Sequence, residues 1–177
     1  MSDPGDPTVS HVINGVTDAA FQADERTTLT GFLQRQRDLV AWKLSGVPDE
    51  AIRAHATPSG LTAHGLVLHL VNTERSWFRN AFAAQPGLTF DWSEADRDGD
   101  WRPDPSVTLE QLLADYAAET ALCDEVIAAA SFDDVGRGRP ASLRWIITHM
   151  IEETARHVGH LDLLREQTDG ATGEDPF

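Results

Sequence analysis

Positive charge is scarce in this chain. Against 29 aspartates and glutamates stand only 14 lysines and arginines, a formal charge of −15 at pH 7. Such a surface repels the phosphate backbone that supplies most of the affinity in nucleic-acid binding, so no nucleic-acid partner is expected. Cysteine occurs once, at Cys123. A single thiol cannot close an intramolecular disulfide, which leaves a small core residue in a reducing compartment or a reactive thiol. Its setting among helix formers favours the first. No stretch approaches the roughly 20 apolar residues that a bilayer-crossing helix demands, and the opening MSDPGDPTVS has neither the basic start nor the apolar run of a targeting segment. A soluble, cytoplasmic protein without a membrane partner is expected. Several motifs are missing too. The metalloprotease HEXXH is absent, GRGRP lacks the spacing and lysine of a phosphate loop, and the acidic run around residue 95 lacks the spaced ligands of a calcium loop.

What the chain does have is helical periodicity. Its 177 residues, 41% of them hydrophobic, are enough for one domain with a real core. Residues 1–22 are rich in Pro, Gly, Asp and Ser and read as a tail or an arm laid over the fold. From Asp24, a candidate N-cap, the positions Leu29, Phe32, Leu33, Gln36, Leu39, Val40 and Lys43 or Leu44 recur at three and four, up to Ser45-Gly46. After ATPSG, the stripe Leu66, Leu70, Thr73 and Trp77 predicts a second helix to about Ala84. A long loop follows, and then Thr108 and Gln111 form a capping box for a third helix with its last core position at Ile127, stopping around Ala130-Ser131. Ser142 caps a fourth helix that Gly170 ends. No internal repeat and no convincing alternating strand pattern is present. The expectation is therefore an all-α four-helix bundle over residues 23–170, with a long crossover loop between helices 2 and 3 and a C-terminal tail at 171–177.

The last helix carries the chemistry. In SLRWIITHMIEETARHVGHLDLLRE, Glu153 and His157 stand one turn apart on the flank of an apolar face. An unpaired buried carboxylate costs several kcal/mol, roughly, and imidazole is the commonest protein metal ligand. A divalent cation shared with His69 of the second helix would resolve both. A plain surface pair at i and i+4 explains the spacing equally simply. His64 lies about 140° around the helix from His69 and cannot share its site. His149 and His160 are candidates to orient the ligands from behind, or core histidines bonded to carbonyls. Trp92 and Trp101, in the long loop, either wall a substrate groove or pin the loop. Trp145 and Leu163 point outward, as a homodimer interface would require.

The segments PSGLTAHGLVLHLVNTERSWF and SLRWIITHMIEETARHVGHLDLLRE resemble the DinB superfamily, in particular its actinobacterial DinB-like subfamily related to mycothiol-dependent enzymes, over about residues 24–170. The resemblance implies a four-helix bundle that holds a divalent metal through one histidine of the second helix and a pair four apart on the last. By position these are His69, Glu153 and His157. Many relatives have histidine where this chain has Glu153, whereas a thiol-dependent isomerase branch has glutamate. A carboxylate is a harder ligand, which leaves zinc, nickel and manganese as candidates, zinc first. The implied activity is a metal-dependent thiol S-transferase or isomerase, with a mycothiol-like low-molecular-weight thiol and a small electrophile as partners. Metal-assisted hydrolysis and a non-enzymatic metal- or ligand-binding bundle are the rival readings.

Overall fold

The computed structural model describes residues 6–173; the remainder of the two expected tails, 1–5 and 174–177, lies outside the described residues. The fold is mostly helical. Helix α1, Glu25–Leu44, starts where the Asp24 carboxylate accepts the backbone N–H of Thr27. Helix α2, Asp49–Arg53, is a short turn after Pro48. Thr62 caps α3, Ala63–Glu74, which runs directly into a π-helical stretch, Arg75–Phe82. Helix α4, Leu109–Ala128, carries the full Thr108/Gln111 capping box. Helix α5, Leu143–Asp169, is capped by Ser142 and closed by Gly170 at φ 78°. None of the helices among the described residues is long and apolar enough to cross a membrane.

Several short elements were not foreseen from periodicity. Strands β1, His11–Ile13, and β2, Val16–Asp18, form an antiparallel hairpin where no strand was expected. Three-residue strands are too short to display an alternating pattern, and the turn at Asn14-Gly15 is their only signal. The hairpin lies on α1, with Val16 fully buried. Helix α2 is likewise too short to show a helical period. The π-helical stretch also changes which residue faces inward: i to i+5 bonding puts more residues in each turn, so Phe78 takes the core position expected for Trp77. Trp77 is left half-buried beside α5.

Helix α1 packs along α5, and α3 along α4, with α3 also against α5. The apolar interior falls into two clusters. One holds Leu39, Val40, Leu66, Leu70, Leu112, Val158 and Leu161; the other holds Leu33, Phe78, Cys123, Ile127, Ile146 and Met150. Between them each long helix contributes a buried polar residue: Arg37, Glu74, Thr120 and Thr154. Arg37 donates from Nε and Nη2 to the two oxygens of Glu74 at 2.8 and 2.7 Å, and from Nη1 to Asp124 at 2.7 Å. Phe32, by contrast, is an exposed residue and not part of the core. Glu153 and Thr73, neighbours in sequence of Thr154 and Glu74, stand at the level of this polar waist.

A second polar knot holds α2, α3 and α4 at one end. Asp49 Oδ1 accepts from the backbone N–H of Leu109 at 2.7 Å and from His64 Nε2 at 2.8 Å. The Leu109 amide, then His64 and Arg53, lower the Asp49 carboxyl from 3.8 to about 2. A depressed carboxyl stabilises the folded chain fully above its unfolded value and loses that contribution as the pH falls through the folded one. Acid unfolding should therefore steepen between pH 3.8 and about 2, and Asp49→Asn should flatten that limb of a stability–pH curve.

Candidate metal centre

His69 comes from the second turn of α3, and Glu153 and His157 from successive turns of α5, so the site sits in the seam where these helices face each other. One donor atom from each of the three lies within 4.8 Å of the others. Glu153 Oε1 is 3.5 Å from His69 Nε2 and 3.2 Å from His157 Nε2. The imidazoles beside it, His157 first and then His69, hold the Glu153 carboxyl well below the usual carboxylate range. His157 is buried, and the other two are partly so.

The far sides of the imidazoles are occupied. His69 Nδ1 is 2.8 Å from Asp100 Oδ2, and Asp100 is itself buried. This carboxylate, 31 residues away in the crossover loop, was not among the expected site residues. Its only signal is position in a loop rich in aspartate, which does not distinguish it from Asp91, Asp96 or Asp98. His69 thus has a carboxylate on each ring nitrogen. A neutral ring carries one N–H and can satisfy only one of them; the other contact needs an additional proton or a cation. With Nδ1–H donated to Asp100, the Nε2 lone pair faces the cluster, as in carboxylate–histidine–metal arrangements.

His157 Nδ1 is 3.3 Å from His160 Nδ1. Burial, and then the neighbouring His157, lowers the His160 pKa. His160 therefore stands directly behind a donor. His149 does not: its ring contacts are Trp145, stacked at 5.1 Å, and Trp77, edge-on at 4.7 Å. It lies one turn from Glu153 on α5, in an aromatic cluster rather than behind a donor. Trp101 stacks on His69 with centroids 3.8 Å apart and planes at 15°. Trp92 is 40% exposed and packs on Phe90 at 5.2 Å. Trp145 and Leu163 are 50% and 57% exposed.

The loop reaches His69 because two positions have no side chain. A Cβ on Gly65 would strike the carbonyl oxygen of Trp101, and one on Gly99 would strike that of Asp91. These two glycines let the 3₁₀ turn Gly99–Trp101 settle onto α3, delivering Asp100 to Nδ1 and Trp101 to the ring face.

The mycothiol-S-transferase family profile matches residues 28–170. The chain belongs to the mycothiol-S-transferase family. The matched span runs from the first turn of α1 to the C-cap of α5, and so includes every residue of the cluster. No curated protein matches the chain. Membership agrees with the mostly helical, DinB-like fold.

These three side chains could hold a divalent metal ion. Ligands about 2.0–2.2 Å from a tetrahedral zinc stand about 3.3–3.6 Å apart, close to the 3.5 and 3.2 Å that separate His69 Nε2 and His157 Nε2 from Glu153 Oε1. Two imidazoles and one carboxylate leave at least one coordination position for an outside ligand. Replacing Asp100 by Asn keeps the shape but removes the charge that orients His69. Metal affinity is expected to fall by about 10- to 100-fold, read by competition with a chromophoric chelator.

Proposed function

We propose that this protein is a metal-dependent S-transferase that joins a mycothiol-like low-molecular-weight thiol to a small electrophile. In this reading α1, α3 with its π-helical extension, α4 and α5 form a four-helix bundle of the DinB type. His69 Nε2, Glu153 Oε1 and His157 Nε2 hold one divalent cation, with zinc the first expectation on the donor set. The convergence of these three atoms, with the opposite nitrogen of His69 held by Asp100, is the observation that carries the reading.

A bound divalent cation supplies a coordination position at which a thiol is held as its thiolate at neutral pH. Free in solution, a thiol with a pKa near 8.5 is only about 3% ionised at pH 7. Full ionisation raises the reactive population roughly thirtyfold, equivalent to about 2 kcal/mol. The thiol comes from outside the chain. Cys123, the single cysteine, is buried in the core, and burial, then the nearby Glu74, pushes its thiol far above the usual range. The residues around the donors do the remaining work. Asp100 fixes the His69 ring, neutral His160 supports His157, and the Thr73 hydroxyl, 3.3 Å from His69 Nε2, stands ready to hydrogen-bond a group brought to the donors. Holding the electrophile against the sulfur contributes more than ionisation can.

The test is elemental analysis of the purified protein, followed by titration of the metal-loaded form with thiol and assay against a panel of electrophiles. About one metal per chain and metal-dependent loss of thiol and electrophile together are expected. Metal-loaded protein that consumes neither across the panel would overturn the reading. Electrophile loss that continues when water replaces thiol would point to hydrolysis instead.

A further inference from the structure

Four of the chain's five tryptophans gather on the side that bears the three donors: Trp77, Trp92, Trp101 and Trp145. The first three line a cavity of about 190 Å³ together with His69, Thr73 and Arg97. Each indole is already backed by another ring. Trp101 stacks on His69 at 3.8 Å; Trp77 meets His149 at 4.7 Å and Trp145 at 5.3 Å; Trp92 meets Phe90 at 5.2 Å. Among the described residues, no ring contact joins the three cavity indoles to one another. Apolar rings free to move would close such a gap. A polar frame prevents it: Asn72 donates to Asp91 Oδ2 at 2.8 Å and accepts the Asp91 backbone N–H at 3.0 Å. Gly99 then backs against the Asp91 carbonyl. The gap is therefore a built feature of the loop, and it borders His69 itself: Thr73, 3.3 Å from His69 Nε2, and Asp100, 2.8 Å from Nδ1, both line it.

Arg97 adds a direction. It is the one cation of the lining, and among the described residues it has no ion-pair partner, although the loop around it is rich in aspartate. A guanidinium suits oxygen-bearing groups, and indole faces suit flat rings. The volume is below the roughly 300 Å³ at which drug-sized pockets begin, enough for a single ring system.

We propose that this cavity binds the electrophile as a flat aromatic or conjugated ring, seated among Trp77, Trp92 and Trp101, with an oxygen-bearing electron-withdrawing substituent at Arg97. The inference rests on the transfer reading above and names its substrate class. Such a substituent also makes a ring carbon open to attack by a thiolate, the new C–S bond replacing a C–halogen bond whose electrons leave with the halide.

The test needs neither thiol nor turnover, so its failure is separate from that of the transfer reading. Metal-loaded protein is titrated calorimetrically with nitrobenzene and with nitrocyclohexane, equal in size and functional group but different in flatness. Nitrobenzene is expected to bind about fivefold more tightly. Trp92→Leu, at an exposed position, should abolish the preference with metal content unchanged. Trp77→Leu should reduce it, and Arg97→Gln should weaken both ligands alike. Equal affinity for the two ligands, or a preference that survives in both tryptophan variants, would overturn the proposal.

Discussion

If the proposed metal-dependent transfer holds, alanine at His157 is expected to abolish metal binding and lower thiol transfer by more than about a hundredfold, with the helical signal retained. The reasoning starts from geometry. His157 is the most buried of the three donors and its Nε2 lies 3.2 Å from Glu153 Oε1. Removing it leaves an ionised carboxylate with one imidazole and opens a second coordination position to water. Loss of groups that merely orient a metal ligand costs about 10- to 100-fold, and loss of the ligand itself exceeds that. Parallel alanines at His69 and Glu153 should behave alike, while His55→Ala and His64→Ala should keep full metal content. His55 Nδ1 lies 2.9 Å from the carbonyl of Ala51 and His64 belongs to Asp49, both outside the seam. Stoichiometric metal in the His157 variant would reject the assignment.

The largest stability loss should come from Glu74→Ala. Its carboxylate and the Arg37 guanidinium expose 0% and 3% of their side chains, and two parallel hydrogen bonds join them. Breaking such a pair strands a buried cation, a cost of about 3–5 kcal/mol, which for a chain of this size is about 10 °C in Tm. Asp124, the other partner of Arg37, is half exposed and cannot replace the lost carboxylate at the waist. Arg37→Met combined with Glu74→Leu should recover much of the loss, because no unpaired charge then remains. Thermal melts of the two single variants and the double variant form the cycle that measures the coupling. Single variants within about 1 kcal/mol of the parent would show that water reaches this pair.

The waist also explains how legible the fold was. Caps and stops are local chemistry. Asp24, Thr108, Ser142 and Gly170 mark helix ends in the structure at the positions their side chains, or lack of one, dictate. Arg37 and Glu74 were not legible as buried residues, because each is an ordinary charged residue until its partner on another helix is known. The π-helical stretch was hidden for a related reason: its sequence reads as a regular continuation of α3, and its wider turns brought Phe78 rather than Trp77 inward.

The candidate site divides the same way. Glu153 and His157 share a face through the helical repeat alone, and the apolar stripe beside them turns that face toward α3. The sequence by itself therefore determined the long helices, their ends and the shared face of Glu153 and His157, because these depend on neighbours within a few residues. Only the tertiary structure decided that Asp100 and Trp101 close over His69, that His149 joins Trp77 and Trp145 while His160 stands behind His157, and that three indoles frame a gap. Those contacts join residues up to 72 positions apart, Trp77 and His149. Their energies depend on distances that no local pattern encodes, and on two glycines whose missing side chains matter only once a loop must lie there.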